Sequence, residues 1–161
     1  MKFGFEQRWH CTPSAVADLY LSEDFWNSLD DLTKTSPPEV LEVTRKKKTA
    51  ITRLRYSLNV DLPSEASRFI DPDDVTWVEQ VEWNLKDLSA KVNFFPDQGS
   101  ALMSASGEAV VFAEDDEAVR QIRGELKVRI PFLGKKVERA IIEGIGDHLE
   151  EEAAAAAEHL E

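Results

Sequence analysis

Histidine and cysteine are scarce in this sequence. There are three histidines, His10, His148 and His159, and one cysteine, Cys11. His10 abuts Cys11, which invites a thiolate nucleophile with an imidazole base. Neighbouring residues on a strand point to opposite faces, so the two side chains cannot meet there, and no catalytic residue is assigned. No pair of His or Cys residues has zinc-ligand spacing. Glu114-Asp115-Asp116-Glu117 lacks the alternating ligands and the glycine of a calcium loop, so it reads as a solvated hairpin tip. Phosphate loops, dinucleotide fingerprints and nucleophile elbows are also missing from the sequence. The expectation is no metal and no cofactor.

One acid stands apart. Glu79 lies between Trp77 and Val81 on the apolar side of an alternating segment. If that side lines a cavity, burial disfavours the carboxylate and raises its pKa. Tyr56 shares the inward side of the preceding strand and offers a hydroxyl. Trp9, Trp83 and Phe94 share inward positions on their own strands and would line the same space with Trp77. The plainer alternative is an ordinary core, since aromatic stripes on strands usually pack.

These residues depend on the elements that carry them. Lys2 to Trp9 alternates with period two, with Phe3, Phe5, Gln7 and Trp9 on one face. Thr12-Pro13 starts a helix, and Ser22-Glu23-Asp24 starts a second short one bearing Phe25, Trp26 and Leu29. Glu39–Thr44 and Ala50–Asp61 form a hairpin pair around the basic turn Arg45-Lys46-Lys47-Lys48. Leu62–Ile70 is a short helical turn or lid. Strands follow at Asp74–Leu85, Leu88–Phe95, Met103–Ala113 and Val119–Ile130, separated by turn chemistry such as Pro96-Asp97-Gln98-Gly99. Leu133 to about Glu152 is a long helix whose Val137, Ile141, Ile142, Ile145 and Leu149 recur at three- and four-residue steps. Six consecutive strands with short connections form an antiparallel sheet, and the long helix is the element with a stripe to cover its apolar face.

Composition narrows the function classes. The chain has 161 residues, enough for one domain with a sizeable core. Its net charge of −12 disfavours nucleic acid and stable association with anionic membranes. Arg45–Lys48, with Arg53 and Arg55 nearby, is therefore read as a charged tip that blocks edge pairing rather than as a phosphate or nucleic-acid site. One cysteine makes no internal disulfide. The opening MKFGFEQRWH has charges where a signal peptide needs an apolar run, and no stretch approaches a membrane span, so a cytoplasmic protein is expected. From Glu143 onward the chain carries Asp147, Glu150, Glu151, Glu152, Glu158, Glu161 and no Lys or Arg. That block reads as a solvated helix end. The expected organisation is one domain over residues 1–152 and an alanine-rich acidic tail over 153–161.

MKFGFEQRW, TAITRLRYSLNVDLP and RQIRGELKVRIPFLGKKVE carry a family resemblance. The chain resembles the START-like superfamily, the helix-grip fold of Bet v 1 allergens, polyketide cyclases and lipid-transfer domains. Within it, the chain more closely resembles a family of uncharacterised, mostly actinobacterial proteins. The resemblance spans Met1 to Glu150 and implies an α+β helix-grip fold: a seven-stranded curved antiparallel sheet around a long C-terminal helix, with two short helices between strands 1 and 2.

The function expected is non-catalytic binding of a hydrophobic or amphipathic small molecule, lipid or polyketide-like, between sheet and helix. The expected pocket comprises Trp9, Tyr56, Trp77, Glu79, Trp83, Phe94, Leu126, Val128, Ile141 and Ile145, with Phe69, Pro96 and Phe132 at the rim. Two alternatives stand beside it. One is a cyclase- or hydrolase-type enzyme using Glu79 or Tyr56 as acid–base group. The other is a protein-interaction module working through the acidic helix end.

Overall fold

The computed structural model describes residues 1–161. Strand β1 (Lys2–Trp9) leads into α1 (Pro13–Tyr20) and α2 (Glu23–Asn27). Six strands follow: β2 (Glu39–Arg45), β3 (Thr49–Ser57), β4 (Thr76–Asn84), β5 (Ser89–Pro96), β6 (Met103–Glu114) and β7 (Glu117–Val128). Helix α3 (Gly134–Leu160) closes the chain. All seven strands form one antiparallel sheet in the order β1-β7-β6-β5-β4-β3-β2. The first strand thus pairs with the last, and the intervening strands follow as a meander. This is the helix-grip architecture. No helix is long and apolar enough to cross a membrane.

Local chemistry explains the boundaries. The Thr12 hydroxyl accepts from the Ala15 amide at 3.2 Å and caps α1, with Pro13 in the first turn where its missing N–H is harmless. β3 ends at Ser57 rather than reaching Asp61. Past Ser57 the chain turns away: Leu58 bridges to Thr35, and Val60 packs on Gly144 of α3, where an added Cβ would sit 2.6 Å from a Val60 methyl. Leu62–Ile70 holds a 3-10 turn over Ser64–Arg68 that buries Ala66.

The C-terminal helix differs from expectation. It does not fray after Glu152 but runs unbroken to Leu160. The Ala153–Ala157 run packs: Ala156 is fully buried in the main core, and the Ala153 carbonyl accepts from Trp9 Nε1 at 3.0 Å. Small side chains let α3 approach β1 and α1 closely. The acidic helix end is partly engaged within the fold. Glu151 accepts from the Thr33 amide at 2.8 Å, Lys34 lies 3.8 Å from Asp147, and Glu152 is buried.

Two apolar clusters fill the space between sheet and helix. The larger gathers Trp9, Tyr20, Phe25, Trp26, Leu54 and Trp83 around α1, α2 and the end of α3. The smaller joins Ala66, Ile70, Val128, Ile130, Val137 and Ile141 near the start of α3. The basic tip also finds a partner: Arg45 Nη1 donates to Asp18 Oδ1 at 2.8 Å.

Candidate functional site

A cavity of about 280 Å³ lies between sheet and helix, and 18 of its 33 lining residues are hydrophobic. Both apolar clusters contribute to its walls: Tyr56, Val92 and Ile122 from the larger, Ile70, Leu126 and Ile141 from the smaller. Helix α3 lines it with Ile141, Gly144, Ile145, His148, Leu149 and Glu152. Their spacing of three and four residues puts them on one face, so Glu152 simply continues the apolar stripe by one turn. At the opposite end the exposed lining residues Phe69, Asp71, Asp74, Gln98 and Gly99 come from the segment before β4 and from the β5–β6 turn. These are the segments expected to form a rim.

Of the thirteen residues expected at the site, nine line the cavity: Tyr56, Trp77, Glu79, Phe94, Leu126, Ile141 and Ile145, with Phe69 and Pro96 at the rim. Four do not. Trp9 and Trp83 are buried in the larger cluster, because α1, α2 and the last turns of α3 fill that end of the sheet. Val128 lies one step past Leu126, where Val137 and Ile130 close the smaller cluster. Phe132 points fully into solvent. It takes a left-handed conformation, φ 66°, at the turn between β7 and α3, and the turn closes through Gly134 N–H to the Ile130 carbonyl at 3.0 Å.

The polar end of the cavity holds a cluster that the sequence reading missed. Arg120 on β7 stands directly across from Gln7 on β1. Its Nη1 donates to Gln7 Oε1 at 2.9 Å and to Glu152 Oε1 at 3.1 Å. The Tyr20 hydroxyl donates to the same Glu152 oxygen at 2.6 Å, and the Arg120 guanidinium lies 4.5 Å over the Tyr20 ring. His148 Nε2 is 3.7 Å from Glu152 Oε2, while its Nδ1 is 3.4 Å from the Thr35 hydroxyl. The signal was present in the sequence. Arg120 shares the parity of Ile122 and Leu126, so a charged residue at that position needs a buried partner.

Glu79 has no such partner. Its neighbours are apolar and mostly aromatic: Leu54 and Phe94 are its cross-strand partners, Trp77 lies two residues earlier on the same face, and Tyr56 pairs with Trp77. The Tyr56 and Trp77 rings stack with centroids 5.8 Å apart. Burial, reinforced by the Glu152 charge, raises the Glu79 pKa from 4.5 to about 7; Arg120 offsets this in part, and no hydrogen bond to the protein does so. Glu79 keeps some accessible surface only because it faces the cavity. Burial likewise pushes the Tyr56 hydroxyl well above its ordinary range, with Glu79 adding to the effect. The Tyr56 hydroxyl, Trp77 Nε1 and Arg120 Nε are buried without a hydrogen-bond partner. Such groups are scarce in folded proteins and call for an explanation.

Chemistry elsewhere is sparse. His10 and Cys11 follow the end of β1 rather than lying on it. His10 is exposed beside Asp116 and Glu117, and Cys11 is half-buried with its thiol pKa raised by burial, the wrong direction for a nucleophile. No group of three His, Cys, Asp or Glu side chains is placed to hold a metal ion.

Residues 5–160 match the model of a family described as "Protein of unknown function (DUF2505)". No curated protein matches the sequence. Solved structures do. TTHA0849 from Thermus thermophilus aligns with a TM-score of 0.68 at 19% identity, covering 99% of both chains. The Zhui aromatase/cyclase from a Streptomyces species aligns at 0.60 and 13% identity, over 99% of this chain and 94% of that one. A START superfamily protein from Mycobacterium smegmatis aligns at 0.54 and 11% identity, over 99% and 96%. Identities this low establish the shared fold and leave chemistry to the site.

Proposed function

The chain belongs to the DUF2505 family, and we propose that it binds a hydrophobic or amphipathic small molecule non-covalently in the cavity between sheet and α3. The observation that carries this reading is the cavity itself: mostly apolar walls, with the buried acid Glu79 among the residues that line it. Concave, largely apolar sites with a few fixed polar groups are how proteins hold small ligands. The apolar walls supply affinity through burial, and the polar groups set orientation. The test is native mass spectrometry of protein purified from its own organism, which should reveal a co-purified compound of small mass. Protein of bare mass that also fails to enhance the fluorescence of a neutral apolar dye would sink the reading.

A second reading, an enzyme of cyclase or hydrolase type, draws on one observation. The Glu79 pKa of about 7 is the range a general acid or base needs near neutral pH. A protein named aromatase/cyclase shares this fold. On this reading Glu79→Gln abolishes turnover and keeps binding; on the first it changes ligand preference alone.

A further inference from the structure

The charged groups lining the cavity are unbalanced. Asp71, Asp74, Glu79 and Glu152 face it, against Lys34 and Arg120. Both cations are already engaged, Arg120 by Glu152 at 3.1 Å and Lys34 by Asp147 at 3.8 Å. Glu79 therefore has no counter-charge of its own. Around it stand three aromatic rings, those of Trp77, Phe94 and Tyr56. The Tyr56 side chain is 1% exposed, and its hydroxyl has no partner.

Resting on the reading of this cavity as a binding site, we infer that its ligand is an apolar amine in protonated form, with the ammonium held by the Glu79 carboxylate against the rings of Tyr56, Trp77 and Phe94. A ligand cation supplies the charge that Glu79 lacks. Aromatic faces attract cations, more strongly where water is excluded. Asp71 and Asp74 at the exposed end, in a protein of net charge −12, draw a cation inward and repel an anion. A ligand carboxylate would meet four acids and two cations already paired. A neutral ligand would leave the buried Glu79 charge uncompensated, which is costly.

Three probes with one ring system and different heads test this: tryptamine, tryptophol and indole-3-propionate, titrated calorimetrically. Tryptamine should bind at least tenfold more tightly than either of the others at pH 8. Glu79 is faced by Tyr56 from β3, Arg120 from β7, and Glu152 and His148 from α3. With the Glu79 pKa at about 7, tryptamine affinity should fall about tenfold from pH 8 to pH 6, as protons compete for the carboxylate. Glu79→Gln should remove both the preference and the pH dependence, weakening tryptamine binding and tightening tryptophol binding at pH 8. Should Glu79→Gln lose the fold, the double variant Asp71→Asn/Asp74→Asn serves instead, and it should slow tryptamine association several-fold at low salt. Equal binding of tryptamine and tryptophol, tighter binding of the propionate, or a pH dependence that survives Glu79→Gln overturns the inference and leaves the cavity-binding reading standing. Failure of all three probes to bind overturns the inference, and, joined to a bare mass and no dye response, the cavity-binding reading as well.

Discussion

Arg120 on β7 and Glu152 on α3 form an ion pair at 3.1 Å with both side chains buried. Each also holds a neutral partner: Gln7 accepts from Arg120, and Tyr20 donates to Glu152. One charge pair thus ties the first strand, the last strand, the first helix and the last helix together at the polar end of the cavity.

Arg120→Met should be strongly destabilising. It leaves Glu152 and Glu79 buried without a cation, and breaking a buried pair from one side costs about 3–5 kcal/mol. Urea denaturation at pH 7.5 should show the loss, and it should shrink at pH 5, where Glu79, with its pKa of about 7, is protonated. Arg120→Met/Glu152→Gln together should recover part of the stability, because the Glu152 charge is gone and only Glu79 is left without a cation.

Glu79 should make the fold less stable as pH rises. Its pKa is higher in the folded protein, about 7 against an ordinary 4.5. The folded state therefore holds the proton more tightly, and that stabilisation is fully present below about pH 4.5 and lost as pH climbs through 7. At roughly 1.4 kcal/mol per pKa unit the whole effect is on the order of 3 kcal/mol. Comparing urea midpoints of the wild type and Glu79→Gln from pH 5 to pH 8, the variant should gain on the wild type steadily up to neutrality. Parallel curves would remove Glu79 as the responsible group.

Leu54→Ala and Ile141→Ala should differ. Leu54 is 1% exposed in the larger core and Ile141, at 8%, borders the cavity. Leu54→Ala should cost about 2–5 kcal/mol, and Ile141→Ala should fall at or below the bottom of that range, because an existing space already deprives Ile141 of part of its contacts. Chemical denaturation of both variants decides it, and an equal loss would mean that Ile141 is packed as tightly as Leu54.

Ala156→Asp should unfold or severely weaken the domain. Ala156 is fully buried among the larger cluster, and an unpaired charge there has no compensating group. A change under about 0.5 kcal/mol, the range of ordinary surface substitutions, would show instead that the last turns of α3 do not hold to the core in solution.

Gly144→Ala should destabilise although alanine favours helix by up to about 1 kcal/mol over glycine. The new methyl would lie 2.6 Å from a Val60 methyl. Val60→Ala should rescue it in a double-mutant cycle; additivity of the two changes would mean that the segment after β3 sits elsewhere.

The fold was largely legible in the sequence, because strand parity and helix periodicity are local. Alternation in β1, β3, β4 and β7 placed Tyr56, Trp77, Glu79 and Leu126 on the inner face, and the three- and four-residue steps of Ile141, Ile145 and Leu149 placed the helix stripe that meets them. Glu79 stood out because one acid interrupted an apolar face. What parity cannot supply is position along the strand axis. Trp9 and Val128 point inward as expected, yet packing closes around them, and only the way α1, α2 and the last turns of α3 fill one end decides where the cavity begins. The helix end followed the same logic. An alanine run is helical by propensity anywhere, but whether it frays or packs depends on Trp9 and Tyr20 standing beside it. Arg120 and Glu152 lie 32 residues apart, and Gln7 lies 113 from Arg120. A buried charge is tolerable only with its partner, and that partner was chosen by the pairing of β1 with β7 and by the docking of α3, which are long-range contacts that no local pattern contains.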